Sequence, residues 1–329
     1  MDFIIADSNQ IELTHLSRNC DIDLDIGDTN DFQLTLPIII ADPDIYKKDN
    51  YLYCIGTEYG GIIKNREIDT KSNVLKLSGD TWRGMLSKKI VQPPATAAYL
   101  SVNGETNIVI ASLIYGRFGD LVVAETTNSG INVSYQFNRY CTLLDGLNKM
   151  LDQYGMRLNI VTQYNAISQK MEVALSAVYI IDHSRDIETS QDGNVYFVMK
   201  ETTNGINHLI CLGKGELTDR EVVHLYLQSD GTIGTTKYYT GVDEREATYE
   251  NTSAEDTQAL TDGGIEKFKE LANAQNQSMT IEDMNVELYD LVGGREYITG
   301  ITMAQPVTNK IVKIKNGKET VDYKIGGTA

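Results

Sequence analysis

Five aspartates, Asp21, Asp23, Asp25, Asp28 and Asp31, crowd the N-terminal part of the chain, and oxygen ligands at that density could hold calcium. The spacing argues against it. Ile22, Leu24 and Ile26 alternate with the first three acids, as in a strand with one buried face, and the glycine and closing glutamate of an EF-hand loop are missing. Lys214 lies in Gly213-Lys214-Gly215-Glu216, which has the look of a phosphate-binding loop. The first glycine of GxxxxGK[ST] is absent, and Gly215 stands where the magnesium-binding Ser or Thr belongs.

Nucleophilic chemistry has no anchor either. No serine sits in a GxSxG elbow, and Cys20, Cys54, Cys141 and Cys211 are far apart, with no CxxC pair for zinc or redox work. They read as reduced, mostly buried thiols. His15, His183, His208 and His224 form neither HExxH nor a short His-x-His pair, so each reads as structural. Glycoside hydrolysis needs two carboxylates about 5–10 Å apart, and an acidic chain marks no particular pair. No enzymatic activity, cofactor or metal is expected.

The elements that would carry such residues are mostly short strands bounded by Gly, Asn and Asp: Phe3 to Ala6, Ile11 to Leu16, Phe32 to Leu36, Tyr51 to Ile55, Gly61 to Arg66 and Asn73 to Leu77. Asp80 or Thr81 can cap a helix carrying Trp82, Met85, Leu86 and Ile90, stopped by Pro93 and Pro94. Leu143, Leu144, Leu147, Met150 and Leu151 fall on one face of a second helix, closed by Gly155. Met156 to Thr162 and Lys170 to Ile180 read as a hairpin. So do Val195 to Lys200 and His208 to Leu212 around Thr203-Asn204-Gly205, and Val222 to Leu227 and Thr235 to Tyr239 around Ser229-Asp230-Gly231. A helical island spans Ser253 to about Gln277, with Gly263-Gly264 as a candidate break between two helices. Strands return at Asn285 to Leu288, Glu296 to Met303, Lys310 to Lys315 and Thr320 to Ile325, with Asn316-Gly317 as a tight turn.

With 329 residues, 41% hydrophobic and 23% charged, and only five prolines, the chain is folded protein too long for one ordinary core. No apolar run approaches a membrane span, and the N-terminus lacks the pattern of a secretory signal, which points to synthesis in the cytoplasm. The formal charge of −17 disfavours adhesion to nucleic acid. Residues 1–50 hold eleven acids against Arg18, Lys47 and Lys48, whereas residues 305–329 hold five lysines against Glu319 and Asp322. Solubility explains such a charge, as does a repulsive surface beside passing DNA.

The segment HLICLGKGELTDREVVHLYLQ, with its blocks Leu212-Gly213-Lys214-Gly215-Glu216-Leu217 and Arg220-Glu221-Val222-Val223-His224-Leu225, resembles a family of siphophage tail-hub proteins. Ser253-Ala254-Glu255-Asp256 leading to Gly264-Ile265-Glu266-Lys267 is similar to the family's helical segment, and Tyr289 to Arg295 with Thr299-Gly300-Ile301 to its C-terminal barrel entry. In the N-terminal half, Gly61-Ile62-Ile63 through Leu77-Ser78-Gly79 and Met85 to Ile90 are similar to its first barrel and helix.

The resemblance implies a mainly β fold with minor α, like the baseplate hub of contractile tails. Residues 1–92 with about 191–240 would form one tube-like β-barrel, 93–190 with about 285–329 a second, and 241–284 a helical insertion. It implies a virion protein at the tail tip, assembled as a homotrimer around a DNA channel. As a symmetry adaptor it would join a hexameric tail-tube or distal tail ring to a spike, fibre or lysin, without membrane insertion or specific DNA binding. Asp21, Asp23, Asp25, Asp28 and Asp31 are then candidate channel-lining residues. The chain ends at Ala329 with no peptidase or glycosidase segment, so lytic activity is expected of another polypeptide. A tail-associated cell-wall hydrolase and a carbohydrate-binding receptor protein, the latter suggested by nineteen tyrosines, are the alternatives.

Overall fold

The computed structural model describes residues 1–183, 197–200, 205–229, 231–272, 278–282, 286–295 and 302–326. The chain is mainly β with minor α, as the sequence indicates, and forms two compact units: Met1–Phe197 with Thr280–Ile325, and Val198–Met279 with Gly326–Ala329.

The first unit opens with β1 (Phe3–Ala6), β2 (Glu12–His15), β3 (Asp21–Ile26), β4 (Asp31–Pro37), β5 (Tyr51–Cys54), β6 (Gly60–Asp69) and β7 (Val74–Thr81). Alternation decides which face is buried. In β3 and β4 the side chains of Ile22, Leu24, Ile26, Phe32, Leu34 and Leu36 are at most 3% exposed, while the acids between them lie on the other, more open face. Helix α1 (Trp82–Ser87) is capped by Thr81, whose hydroxyl accepts from Gly84 N and donates to Asn30 O. It stops short of Ile90 because residues 89–91 pair instead with 141–143: Leu143 N donates to Lys89 O and Val91 N to Cys141 O.

The chain continues through β8 (Ser101–Glu105), α2 (Thr106–Ile114), β9 (Val122–Ala124), β10 (Asn132–Gln136), α3 (Leu143–Asp152), β11 (Met156–Asn165) and β12 (Lys170–Tyr179). The leucine stripe of α3 is buried in the core, where the helix packs on α1 and β11; Thr142 caps it, and Gly155 follows with a φ of +65°. The β11–β12 hairpin is as expected.

In the second unit, β14 (His208–Leu212), β15 (Val222–Leu227), β16 (Ile233–Gly234) and β17 (Glu246–Glu250) form a four-stranded sheet in the order β16-β15-β14-β17, backed by α4 (Thr257–Ala272). β13 (Phe197–Lys200) and β18 (Ser278–Glu282) lie where the chain passes between the units. The expected hairpin of β13 with β14 does not form, because β15 and the parallel β17 occupy both edges of β14. Its Thr203-Asn204 turn, like Asp230, lies outside the described residues. Nor does Gly263-Gly264 break α4. A Cβ at Gly264 would stand 2.5 Å from Cys211 Sγ, and one at Gly263 2.8 Å from the Tyr249 hydroxyl, so both glycines let the helix lie close on the sheet.

The first unit is completed by β19 (Leu291–Arg295), β20 (Thr302–Lys315) and β21 (Lys318–Ile325). The Glu296 to Met303 strand and the Thr299-Gly300-Ile301 block fall largely outside the described residues. Asn316 and Gly317, at φ of +52° and +74°, make the expected tight turn. A curled antiparallel sheet runs in the order β21-β20-β3-β4-β7-β6-β5-β1-β2, with β19 also on β20, so the last strands of the chain extend a sheet begun by the first. Bulges between Ile63 and Asn65 and between Val307 and Asn309 fit its curl.

Candidate functional site

The five sequence-nominated acids run along β3 into the start of β4, with Asp21 at one end of β3 beside the β20–β21 turn and Asp28 and Asp31 beyond the other. Asp23, Asp28 and Asp31 are exposed, and Asp21 and Asp25 half-buried. Their tasks differ. Asp21 Oδ1 accepts from Asn316 N at 3.0 Å, tying β3 to the β20–β21 turn. Asp25 accepts from the backbone N–H groups of Asp28 and Asn30 and, through Oδ2, from Asn309 Nδ2 on β20 at 2.9 Å. Asp31 accepts from Thr29 Oγ1 and is directly opposite Asp80 on β7, a like-charge pair relieved by Lys88, 3.6 Å from Asp80.

Asp23 faces Lys313 across the β3–β20 register. A shallow groove of about 410 Å³ runs here between Asp21, Asp23, Gln33, Thr35, Lys313 and Lys315. Its surface is therefore mixed in charge: the lysines concentrated near the C-terminus lie beside the N-terminal acids.

A second constellation was invisible in the sequence. Glu58 and Tyr59 precede β6, Arg83 opens α1, Arg157 is on β11, Glu287 and Asp290 precede β19, and Lys310 is on β20. They converge around a polar cavity of about 240 Å³. The charges are paired: Arg83 with Glu58 at 2.9 Å, Arg157 with Asp290 at 2.9 Å and Lys310 with Glu287 at 2.8 Å. Asp290 also accepts from the N–H groups of Ile181 and Glu287. Burial alone would pull the Lys310 ammonium down, but Tyr59, Glu287 and Glu58 around it raise it above the ordinary lysine value. The Tyr323 phenol is pushed up to about 12, by burial foremost.

The charges are thus arranged to hold segments together, with no nucleophile among them. The thiols are no better placed for attack: burial lifts Cys20 to about 11 and raises Cys141 and Cys211 above the usual range.

Comparison of the whole fold with solved structures finds full-length likenesses to tail proteins. The 43 kDa tail protein of prophage MuSo2 from Shewanella oneidensis matches over 99% of this chain and 98% of its own, with a TM-score of 0.58 and 10% identity. A tail protein from Neisseria meningitidis MC58 matches over 99% and 96%, at 0.51 and 14%. Prophage tail protein gp18 from Listeria monocytogenes EGD-e matches over 100% and 95%, at 0.50 and 12%. This is a phage tail protein fold. At these identities the likeness is one of fold, and no protein-family pattern or curated protein sequence matches the chain.

The second unit of this tail-protein fold carries the LGKGEL block. Lys214 reaches the Glu255 carbonyl at 3.4 Å, as a structural lysine would. On the open face of its sheet, registers His208↔Glu246 and Ile210↔His224 assemble a cluster. His208 Nδ1 lies 2.8 Å from Glu244 Oε1 and 2.9 Å from Glu246 Oε1, and its Nε2 lies 2.8 Å from His224 Nδ1. Tyr226 stacks on the His208 ring, and Lys237 donates to Glu244 Oε2 at 2.6 Å. Among the described residues this is the group with metal-ligand spacing.

Proposed function

We propose that the chain is a structural subunit of a phage-type tail tip: a hub that joins the tail tube to a spike, fibre or lysin and surrounds the DNA path. The observation that carries this reading is the end-to-end fold likeness to three tail proteins, two of them from prophages, which leaves almost none of either chain unmatched. The paired cavity charges and the raised thiols favour a role in geometry over one in catalysis.

A hub must meet several neighbours, and four aliphatic side chains suit such contacts. Ile39, Ile167, Leu217 and Val242 are 94%, 97%, 94% and 98% exposed at loop positions, where water alone gives them no reason to be apolar. In this reading three copies close a ring, and the exposed Asp23, Asp28 and Asp31 repel DNA phosphates along the channel, while Asp21 and Asp25 hold turns.

The test is the mass of the purified chain in solution, alone and mixed with a phage tail-tube ring protein, followed by negative-stain imaging. Trimers or a ring with a central channel are expected in the mixture. A chain that stays monomeric and unattached to tube ends would overturn the hub reading, as would clearing of purified cell wall in a zymogram that is lost with a single carboxylate substitution.

A further inference from the structure

The cluster on the open face of the second unit has the chemistry of a cation site. We propose that His208, Glu244 and Glu246 bind a divalent transition-metal ion, zinc by ligand type, which ties β14 to β17 and to the 3-10 turn Gly241–Asp243.

Three independent features point that way. The first is the donor set. One imidazole nitrogen and two carboxylate oxygens lie within 4.8 Å of one another. Tetrahedral zinc with bonds of roughly 2.0–2.2 Å sets its ligand atoms about 3.3 Å apart, so the two nitrogen–oxygen separations, 2.8 and 2.9 Å, need open by only about half an ångström. Imidazole nitrogen disfavours calcium and magnesium, which take oxygen shells.

The second is the proton arrangement around His208. Its Nε2 sits 2.8 Å from His224 Nδ1. In the tautomer that donates Nε2–H to His224, Nδ1 turns a lone pair toward two carboxylate oxygens. Three lone pairs converging on one point are satisfied by a cation between them, either a metal ion or a proton. Metal-bound histidines characteristically donate the other ring nitrogen in this way, which makes His224 a positioning residue. Lys237 performs the matching task for Glu244, holding Oε2 and leaving Oε1 for the ion.

The third is the setting. Tyr226 closes one face of the imidazole at a centroid distance of 4.3 Å and His208 is 4% exposed, whereas the Glu246 side chain is 55% exposed and leaves a path for the ion and a completing water. Among the described residues the buried apolar core of this unit is six residues, Leu209, Cys211, Leu225, Ala254, Leu260 and Phe268. A unit with so small a core gains from a cross-link between strand, strand and turn.

The experiment is calorimetric titration of the tag-free full chain with zinc chloride, paralleled by the visible spectrum on adding cobalt(II). One saturable ion per chain is expected, with intense tetrahedral cobalt bands, and calcium chloride at the same concentration should give no binding. Glu246→Gln, at an exposed position that the fold tolerates, should abolish saturable binding, and His224→Phe should weaken it by about ten- to a hundredfold. Absence of saturable zinc binding by the natural chain would overturn the site and leave a proton shared by His208 and the carboxylates in its place. Unchanged binding by Glu246→Gln would overturn it equally. Neither result bears on whether the chain assembles with a tail tube.

Discussion

Asp25 accepts a hydrogen bond from Asn309 Nδ2 at 2.9 Å across 284 positions of sequence, while Asp23, two residues earlier on the same strand face, stands exposed opposite Lys313. The five crowded aspartates are thus not equivalent. Asp25→Ala removes the acceptor for two backbone N–H groups and for Asn309, whose other amide atom, Oδ1, is buried without a protein partner among the described residues. A loss of about 2 kcal/mol is expected in urea unfolding, against about 0.5 kcal/mol or less for Asp23→Ala. Equal effects of the two would mean that the turn network is not what holds Asp25.

Arg83 and Glu58 form a deeply enclosed ion pair, with side chains 4% and 6% exposed. Arg83 Nη2 also donates to Leu158 O, but Arg83 Nη1 and Glu58 Oε1 have no protein partner among the described residues. Removing one member strands a buried charge. Glu58→Ala should therefore cost about 3–5 kcal/mol, and Glu58→Leu combined with Arg83→Met markedly less than the sum of the single changes. Denaturant midpoints of the four proteins in the cycle measure this directly, and additive single effects would contradict it.

What the sequence made legible was local. The acid–apolar alternation of β3, the leucine stripe of α3 and the Asn316-Gly317 turn each depend on neighbours a few residues apart, and each appears where its pattern indicates. What it hid was set by distant pairing. His208 and Glu246 meet because β14 and β17 are parallel neighbours, and Lys310 meets Glu58 and Tyr59 because β20 joins the N-terminal sheet. No spacing rule reaches across such registers. Gly263-Gly264 misled for the same reason: the pair looks like a helix break until the strand it must lie against is known.

That contact can be tested at Gly264. Alanine there gains about 1 kcal/mol of helix propensity, but its methyl would sit 2.5 Å from Cys211 Sγ and 3.0 Å from Leu225 Cδ1 in a full core. Overpacking dominates, and a net loss of about 1–2 kcal/mol is expected in thermal or urea unfolding. Cys211→Ala in the same chain opens room for the methyl, so the double variant should lose less than Gly264→Ala and Cys211→Ala added together. If Gly264→Ala is stabilising, the helix does not lie as close to β14 as described.

Glu105 supplies a pH dependence. Partial burial pushes its carboxyl up, but the Ser129 hydroxyl and N–H groups of Ser129, Ile108 and Asn107 outweigh that and hold it down at about 2. The folded value is lower than the unfolded one, so the contribution is complete above about pH 4.5 and fades as pH falls toward about 2. Glu105→Gln should accordingly be less stable near neutrality and lose less further stability between about pH 5 and about pH 3 than the natural chain. Parallel urea slopes for the two proteins across that range would show that Ser129 and the start of α2 do not depend on the charge.

The exposed loop side chains separate folding from assembly. Ile167 at the β11–β12 turn and Ile39 are almost entirely in water, so aspartate at either should shift unfolding by no more than about 0.5 kcal/mol. If they meet neighbours in a tail tip, the same changes weaken association with tube ends severalfold. Leu217 sharpens the contrast, because it combines 94% exposure with a φ of +51°, a left-handed backbone that costs a branched side chain about 1 kcal/mol. Leu217→Gly should therefore raise stability slightly while lowering assembly. A residue kept at a conformational disadvantage and in full contact with water is best explained by what it touches in a complex. Full assembly by Leu217→Gly would remove that explanation.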